Sequence, residues 1–115
     1  MAAALAVLGN RTARRIAVLG DMLELGMTAS AEHYRVGRLA AEYADVVLAY
    51  GPYSSRVVSG AITGGMTEDR VRNFDDQQAM ASTLRRIAKP GDVLLFKGSH
   101  GMHMERVLEL FLKDA

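Results

Sequence analysis

The chain lacks cysteine altogether, has an aromatic content of only 6% and carries a net charge of just +1. Each shortage excludes something. Without cysteine there are no disulfides and no thiolate metal sites, which fits a reducing compartment. Few aromatics argue against a stacking platform for single-stranded nucleic acid. A near-neutral chain has no electrostatic footprint for a nucleic-acid backbone. No apolar run approaches the roughly 20 residues of a membrane-spanning helix. The opening MAAALAVL is apolar, but Arg11, Arg14 and Arg15 follow it, the reverse of a secretory leader's polarity. The expectation is a soluble cytoplasmic domain.

Familiar motifs are missing as well. There is no G-x-x-x-x-G-K-[ST] phosphate loop and no G-x-G-x-x-G dinucleotide fingerprint. A G-x-S-x-G nucleophile elbow is also absent. A receiver domain would need an acidic pair after its first strand, and here only Asp21 stands there.

What is present is an ordinary globular mixture, half apolar and 23% charged, in 115 residues. That length suits a single domain over residues 1–115. Arg15-Ile16-Ala17-Val18-Leu19, Asp45-Val46-Val47-Leu48-Ala49-Tyr50 and Asp92-Val93-Leu94-Leu95-Phe96 are short, continuous apolar runs. They read as strands buried on both faces. Arg70-Val71-Arg72-Asn73-Phe74 is a more polar version, expected at a sheet edge.

Helical patterns alternate with them. Ser30 is expected to cap a helix whose apolar residues include Tyr34, Val36, Leu39, Ala40 and Tyr43. A shorter helix is expected over Tyr53 to Ile62, stopped by Gly64-Gly65. Asp75 is expected to cap a third, with Ala79, Met80, Thr83, Leu84 and Ile87 inward. The last is expected from about Met102 to Leu112, with Met104, Val107, Leu108 and Phe111 on one face. Residues 2–8 read as the end of an earlier helix. The alternation predicts an α/β, Rossmann-like fold with a mainly parallel sheet and helices on both faces. Right-handed crossovers give the strand order 3-2-1-4. Ligands in such folds lie at the carboxyl ends of the strands flanking the switch in order.

Two loops meet at that switch: Gly20 to Gly26, reading GDMLELG, and Lys97 to Gly101, reading KGSHG. Lys97, Gly98 and Ser99 precede a helix, whose free N–H groups favour an anion. The plainer alternative is a glycine turn with a solvated lysine. Asp21 can hold an ammonium group or a metal-held water, or cap its own loop. Met22, Leu23 and Leu25 read as packing or as an apolar wall beside a ligand. Glu24 reads as a solvated loop residue, and Glu105 and Glu109 as a solvated face. His33, alone in the first turn of its helix, reads as a hydrogen-bonded structural residue or a supporting site residue. His100 and His103 can share a helical face. No cysteine or carboxylate cluster accompanies them, which argues against a metal.

RRIAVLGDMLELG followed by HYRVG, and KPGDVLLFKGSHGMHMERV near the end, resemble the carboxyl-terminal domain of the Mur ligases. The MAAAL opening is similar to the helix that begins this domain in the family. The resemblance covers nearly the whole chain. It implies part of an ATP-dependent enzyme that forms an amide through an acyl phosphate. The implied reactants are UDP-N-acetylmuramoyl-tripeptide and the dipeptide D-alanyl-D-alanine, joined in peptidoglycan precursor synthesis in the bacterial cytoplasm. ATP and magnesium belong to a central domain and the UDP-sugar to a first domain, neither contained in this chain. The third domain closes over the site and positions the incoming dipeptide. The residues implied to bind substrate are Asp21, Lys97, Gly98, Ser99 and His100, supported by Met22, Leu23 and His33. Where this chain has His100 and His103, the family commonly has Arg and Lys. A free-standing small-ligand or protein-interaction module with the same fold is the alternative, since fold alone does not fix function.

Overall fold

The computed structural model describes residues 1–9, 13–23 and 25–113, with His100 described by its backbone only. Arg11 and Glu24 therefore lie outside the described residues. The elements are α1 (Ala2–Gly9), β1 (Arg15–Gly20), α2 (Ala29–Tyr43), β2 (Val46–Tyr50) and α3 (Ser54–Thr63), then β3 (Val71–Phe74), α4 (Gln77–Ile87), β4 (Val93–Lys97) and α5 (Met104–Lys113). The four strands form one sheet in the order β3-β2-β1-β4. All three pairings are parallel, with Ile16 opposite both Val46 and Leu94. The expected architecture and order are those observed.

A strand buried on both faces needs apolar residues in both phases of its two-residue repeat. On β1, Ala17 and Leu19 point into a core with Leu5 and Leu8 of α1, Val36 and Ala40 of α2, and Val57 and Ala61 of α3. Ile16 and Val18 point the other way, against Met80 and Leu84 of α4 and Met104 and Val107 of α5. The continuous apolar runs are thus the signature of a three-layer sandwich.

Helices α2 and α3 approach backbone to backbone at two glycines. A Cβ on Gly37 would collide with the carbonyl oxygen of Val57, and one on Gly60 with the carbonyl oxygen of Tyr34. Each glycine is the opening through which the other helix's backbone approaches. In a helix interior glycine costs about 1 kcal/mol against alanine, so the packing gained must exceed that.

At the amino-terminal end of the sheet, ion pairs anchor β1. Arg14 grips Asp92 at 2.8 Å and donates to the carbonyl of Ile87, while Arg15 meets Asp45 at 3.2 Å. The guanidinium partners hold both carboxyls below their ordinary value.

Several local expectations are corrected. Helix α2 begins at Ala29, before Ser30, and its flanking Thr28 turns its hydroxyl back to the Leu25 carbonyl. Asp76, not Asp75, caps α4 by accepting the Gln78 N–H at 2.9 Å. Both are acidic, but only Asp76 directly precedes the first helical residue in extended backbone. That register exposes Ala79 and buries Ala81. Helix α5 starts at Met104, after a 3-10 turn at His100–Met102 and a left-handed His103 with φ +50°. The interruption resets the helical phase and leaves Leu108 exposed.

The 115-residue chain should unfold cooperatively on heating. Gly37→Ala and Gly60→Ala should each lower its stability by about 3 kcal/mol, since the clash is with backbone. For a domain of this size that is a drop in Tm of more than about 10 °C. Ser59→Ala, on the exposed face of α3, is the control expected to change little. Circular dichroism melts of the four chains check this.

Candidate substrate-positioning site

The carboxyl ends of β1 and β4 lie side by side, with Leu19 in register with Lys97. The two loops that follow are laced by one serine. Ser99 donates its backbone N–H to the Asp21 carbonyl at 3.0 Å. Its hydroxyl oxygen accepts the Leu23 N–H at 2.7 Å. A hydroxyl that accepts still has its proton to donate elsewhere. Gly98 fits between the strand ends: a Cβ there would lie 3.0 Å from the Gly20 Cα and from Met104. From the far side, the Gln77 side chain of α4 donates to the Met102 carbonyl at 2.9 Å and to that of His103 at 3.3 Å. The β4–α5 connection is held from two directions.

Asp21 is only 1% exposed. Its carboxylate accepts the Tyr53 N–H at 3.0 and 3.3 Å. Tyr53 immediately precedes α3 and offers no side-chain cap of its own. Asp21, 32 residues earlier, therefore serves as the cap of that helix. Room for it comes from Gly51, whose φ of +123° suits glycine and whose absent Cβ would lie 2.5 Å from the Asp21 Cγ.

His33 is likewise buried, at 1% exposure. Its Nδ1 lies 2.6 Å from the Ala29 carbonyl, which can only accept, so Nδ1 carries the proton. Its Nε2 then accepts the Met22 N–H at 3.0 Å. Nε2 also stands 3.7 Å from an Asp21 oxygen, a distance that suggests an ion pair. The hydrogen bonds decide against one: a nitrogen already accepting from an amide has no proton for the carboxylate. The Tyr53 ring stacks on the imidazole at 4.8 Å and 18°.

The residues singled out in the sequence thus divide. Lys97 is exposed at the end of β4, with no ion-pair partner among the described residues. Asp21 and His33 are buried and half-buried Ser99 bonds to the neighbouring loop, so all three hold the loops, and Gly98 packs. Met22 is half-buried, and Leu23 is exposed where a Cβ on Gly101 would touch it. Nothing in the sequence window marked Tyr53 or Gln77, because their partners lie far along the chain. A cleft of about 580 Å³ opens at the other end of the sheet, lined by Arg14, Arg15, Asp45, Asp69 and Arg70. Two aspartates there face three arginines, and the cleft does not touch the strand-tip loops.

Burial pushes the Asp21 carboxyl above its ordinary value; the Tyr53 N–H opposes this but does not cancel it. The folded chain then holds that proton more tightly than the unfolded chain. The Asp21 contribution to stability is full below the ordinary carboxylate value and declines as pH rises through the raised one. Asp21→Asn keeps an oxygen for the Tyr53 N–H but cannot ionise. The stability of the natural chain minus that of Asp21→Asn should therefore fall as pH rises through that interval. Urea unfolding of both across pH measures it, and a flat difference would contradict the assignment.

Residues 1–100 match the family described as Mur ligase, glutamate ligase domain. The chain is 39% identical over 118 aligned residues to the UDP-N-acetylmuramoyl-tripeptide–D-alanyl-D-alanine ligase of Treponema pallidum, covering 99% of this chain and 25% of that protein. To the ligase of the same name from Bacillus subtilis it is 31% identical over 97 residues, covering 84% and 21%. Among solved structures, MurF from Acinetobacter baumannii superposes with a TM-score of 0.84 at 29% identity, over 96% of this chain and 25% of that one. MurF ligase from Thermotoga maritima, solved in complex with ADP, superposes at 0.79 with 28% identity, over 96% and 24%. The chain thus spans about a fifth to a quarter of the length of these relatives. On the match over most of its length, and on a fold shared with these structures, the chain belongs to the Mur ligase, glutamate ligase domain family.

Proposed function

We propose that this chain is the part of an ATP-dependent amide-forming ligase that positions incoming D-alanyl-D-alanine and closes over the site where it joins UDP-N-acetylmuramoyl-tripeptide. In this reading it is one domain of a bacterial, cytoplasmic enzyme of peptidoglycan precursor synthesis. The nucleotide and the UDP-sugar are held by other domains. Supporting this are the shared name of the relatives and the ADP in one structural neighbour. No helix of the described residues is long and apolar enough to cross a membrane.

ATP with magnesium does not fit the residues present here on their own. The sequence has no phosphate loop. Among the described residues no group of three or more His, Asp or Glu side chains could hold a metal ion. The role we assign concerns the dipeptide alone. The observation that carries it is Lys97: an exposed ammonium on a strand end whose surroundings are fixed by Ser99, Asp21 and Gln77. A dipeptide ends in a carboxylate, and a lysine placed by a pinned strand meets it as a charge-assisted partner. Gly98, Ser99 and the backbone at His100 complete the loop that approaches it, with Asp21, Met22, Leu23 and His33 shaping the loop opposite.

In a full-length ligase carrying this domain, Lys97→Ala should cost about 1.5–3 kcal/mol of transition-state binding to the dipeptide. That is a fall of about ten- to a hundred-fold in kcat/KM for D-alanyl-D-alanine, with a smaller change for ATP. An unchanged dipeptide value would return KGSHG to a glycine turn with a solvated lysine. The 115-residue chain alone should neither hydrolyse ATP nor form an amide. ATP turnover well above that of its Lys97→Ala variant would contradict the division of labour.

A further inference from the structure

We propose that His33 is a positioning residue whose neutral Nδ1–H tautomer holds the Met22 amide and so sets the path of the β1–α2 loop, and that protonating the ring exchanges this bond for one to Asp21 and releases the loop.

The ring sits between two claims on the same nitrogen. Nδ1–H is committed to the Ala29 carbonyl at 2.6 Å, within its own helix. That commitment leaves Nε2 as an acceptor, and the Met22 N–H fills it at 3.0 Å. One step further, at 3.7 Å, stands an Asp21 carboxylate oxygen that makes no hydrogen bond to the neutral ring. A proton on Nε2 would turn the contact with Met22 into two opposed N–H groups. The same proton would make Nε2 a charge-assisted donor to Asp21, which needs to come less than 1 Å closer to bond. Among the described residues the titratable groups in contact with the ring are Asp21, from the end of β1, and Tyr53, from the turn before α3. The stacked Tyr53 ring covers one face of the imidazole.

The loop responds because it has few other anchors. Met22 hangs on His33, and its neighbour Leu23 hangs on Ser99. Beyond them Met27 is fully exposed. Freeing the Met22 amide loosens the loop from α2 and leaves it tied to the neighbouring strand-end loop by the two Ser99 bonds, to the Asp21 carbonyl and the Leu23 amide. The inference rests on this geometry and not on the dipeptide reading, so either can fail without the other.

The test is nitrogen-15 NMR of the 115-residue chain across the His33 titration. Neutral His33 should show a protonated Nδ1 and an unprotonated Nε2. The Met22 amide shift should follow the imidazole titration. Its protection against exchange, corrected for intrinsic rate, should fall about five-fold or more on protonation, the equivalent of one ordinary hydrogen bond. His33→Gln keeps an acceptor for the Met22 N–H and does not titrate. In it the Met22 amide should stay protected and lose its pH response. His33→Leu removes the acceptor and should leave the amide unprotected at every pH; if that variant does not fold, the glutamine variant decides. An Nε2–H tautomer would overturn the proposal, and so would a Met22 amide indifferent to the charge on His33.

Discussion

The strand-end site depends on Ser99 bonding twice to one short segment of the neighbouring loop. Its amide takes the Asp21 carbonyl and its hydroxyl takes the Leu23 amide. Parallel strands β1 and β4 stop pairing at Leu19 and Lys97, and beyond that point the sheet no longer holds them together. The serine extends the tie past the sheet's end, into the loops proposed to meet the ligand. Asp21 carries it onward to α3 through the Tyr53 amide, and His33 carries it to α2. Three elements distant in sequence are therefore referenced to one loop.

This arrangement separates holding from presenting. The buried side chains of Asp21 and His33 are holding groups: each bond they make inward is one they cannot make to a ligand. Lys97 is left to present charge outward. The same division runs along the sheet. The Arg14–Asp92 and Arg15–Asp45 pairs fasten the amino-terminal end. A site on fixed strand ends needs little reorganisation when a substrate arrives. Glycines 37 and 60 let α2 and α3 touch backbone to backbone.

Much of the fold was legible in the sequence because its signals are local. Three apolar runs such as Ile16 to Leu19 announce buried strands, a more polar fourth announces an edge, and the handedness of crossovers orders them. The site was legible in outline, since topology alone sets GDMLELG beside KGSHG. Its internal wiring was not. The Asp21–Tyr53 bond spans 32 residues and the Ser99–Leu23 bond 76, so no window contains both partners. Asp21 could be read as a cap, but not as the cap of α3. A glycine inside a helix looks like a weakness until the opposing helix is seen. The left-handed His103 carries no glycine to mark it, which is why the phase of α5 was misread at Leu108.

If the strand-end loops are one unit, Ser99 and Asp21 cannot act independently. The direct measure is a double-mutant cycle on unfolding free energy with Ser99→Ala, Asp21→Ala and the pair. Ser99→Ala deprives the Leu23 amide of its acceptor, and Asp21→Ala deprives that of Tyr53; the two share the segment from Asp21 to Leu23. The account predicts a coupling of about 0.5–3 kcal/mol between them, as for residues in one network. Costs that simply add, within about 0.3–0.5 kcal/mol, would mean that the loops are held separately and would contradict it.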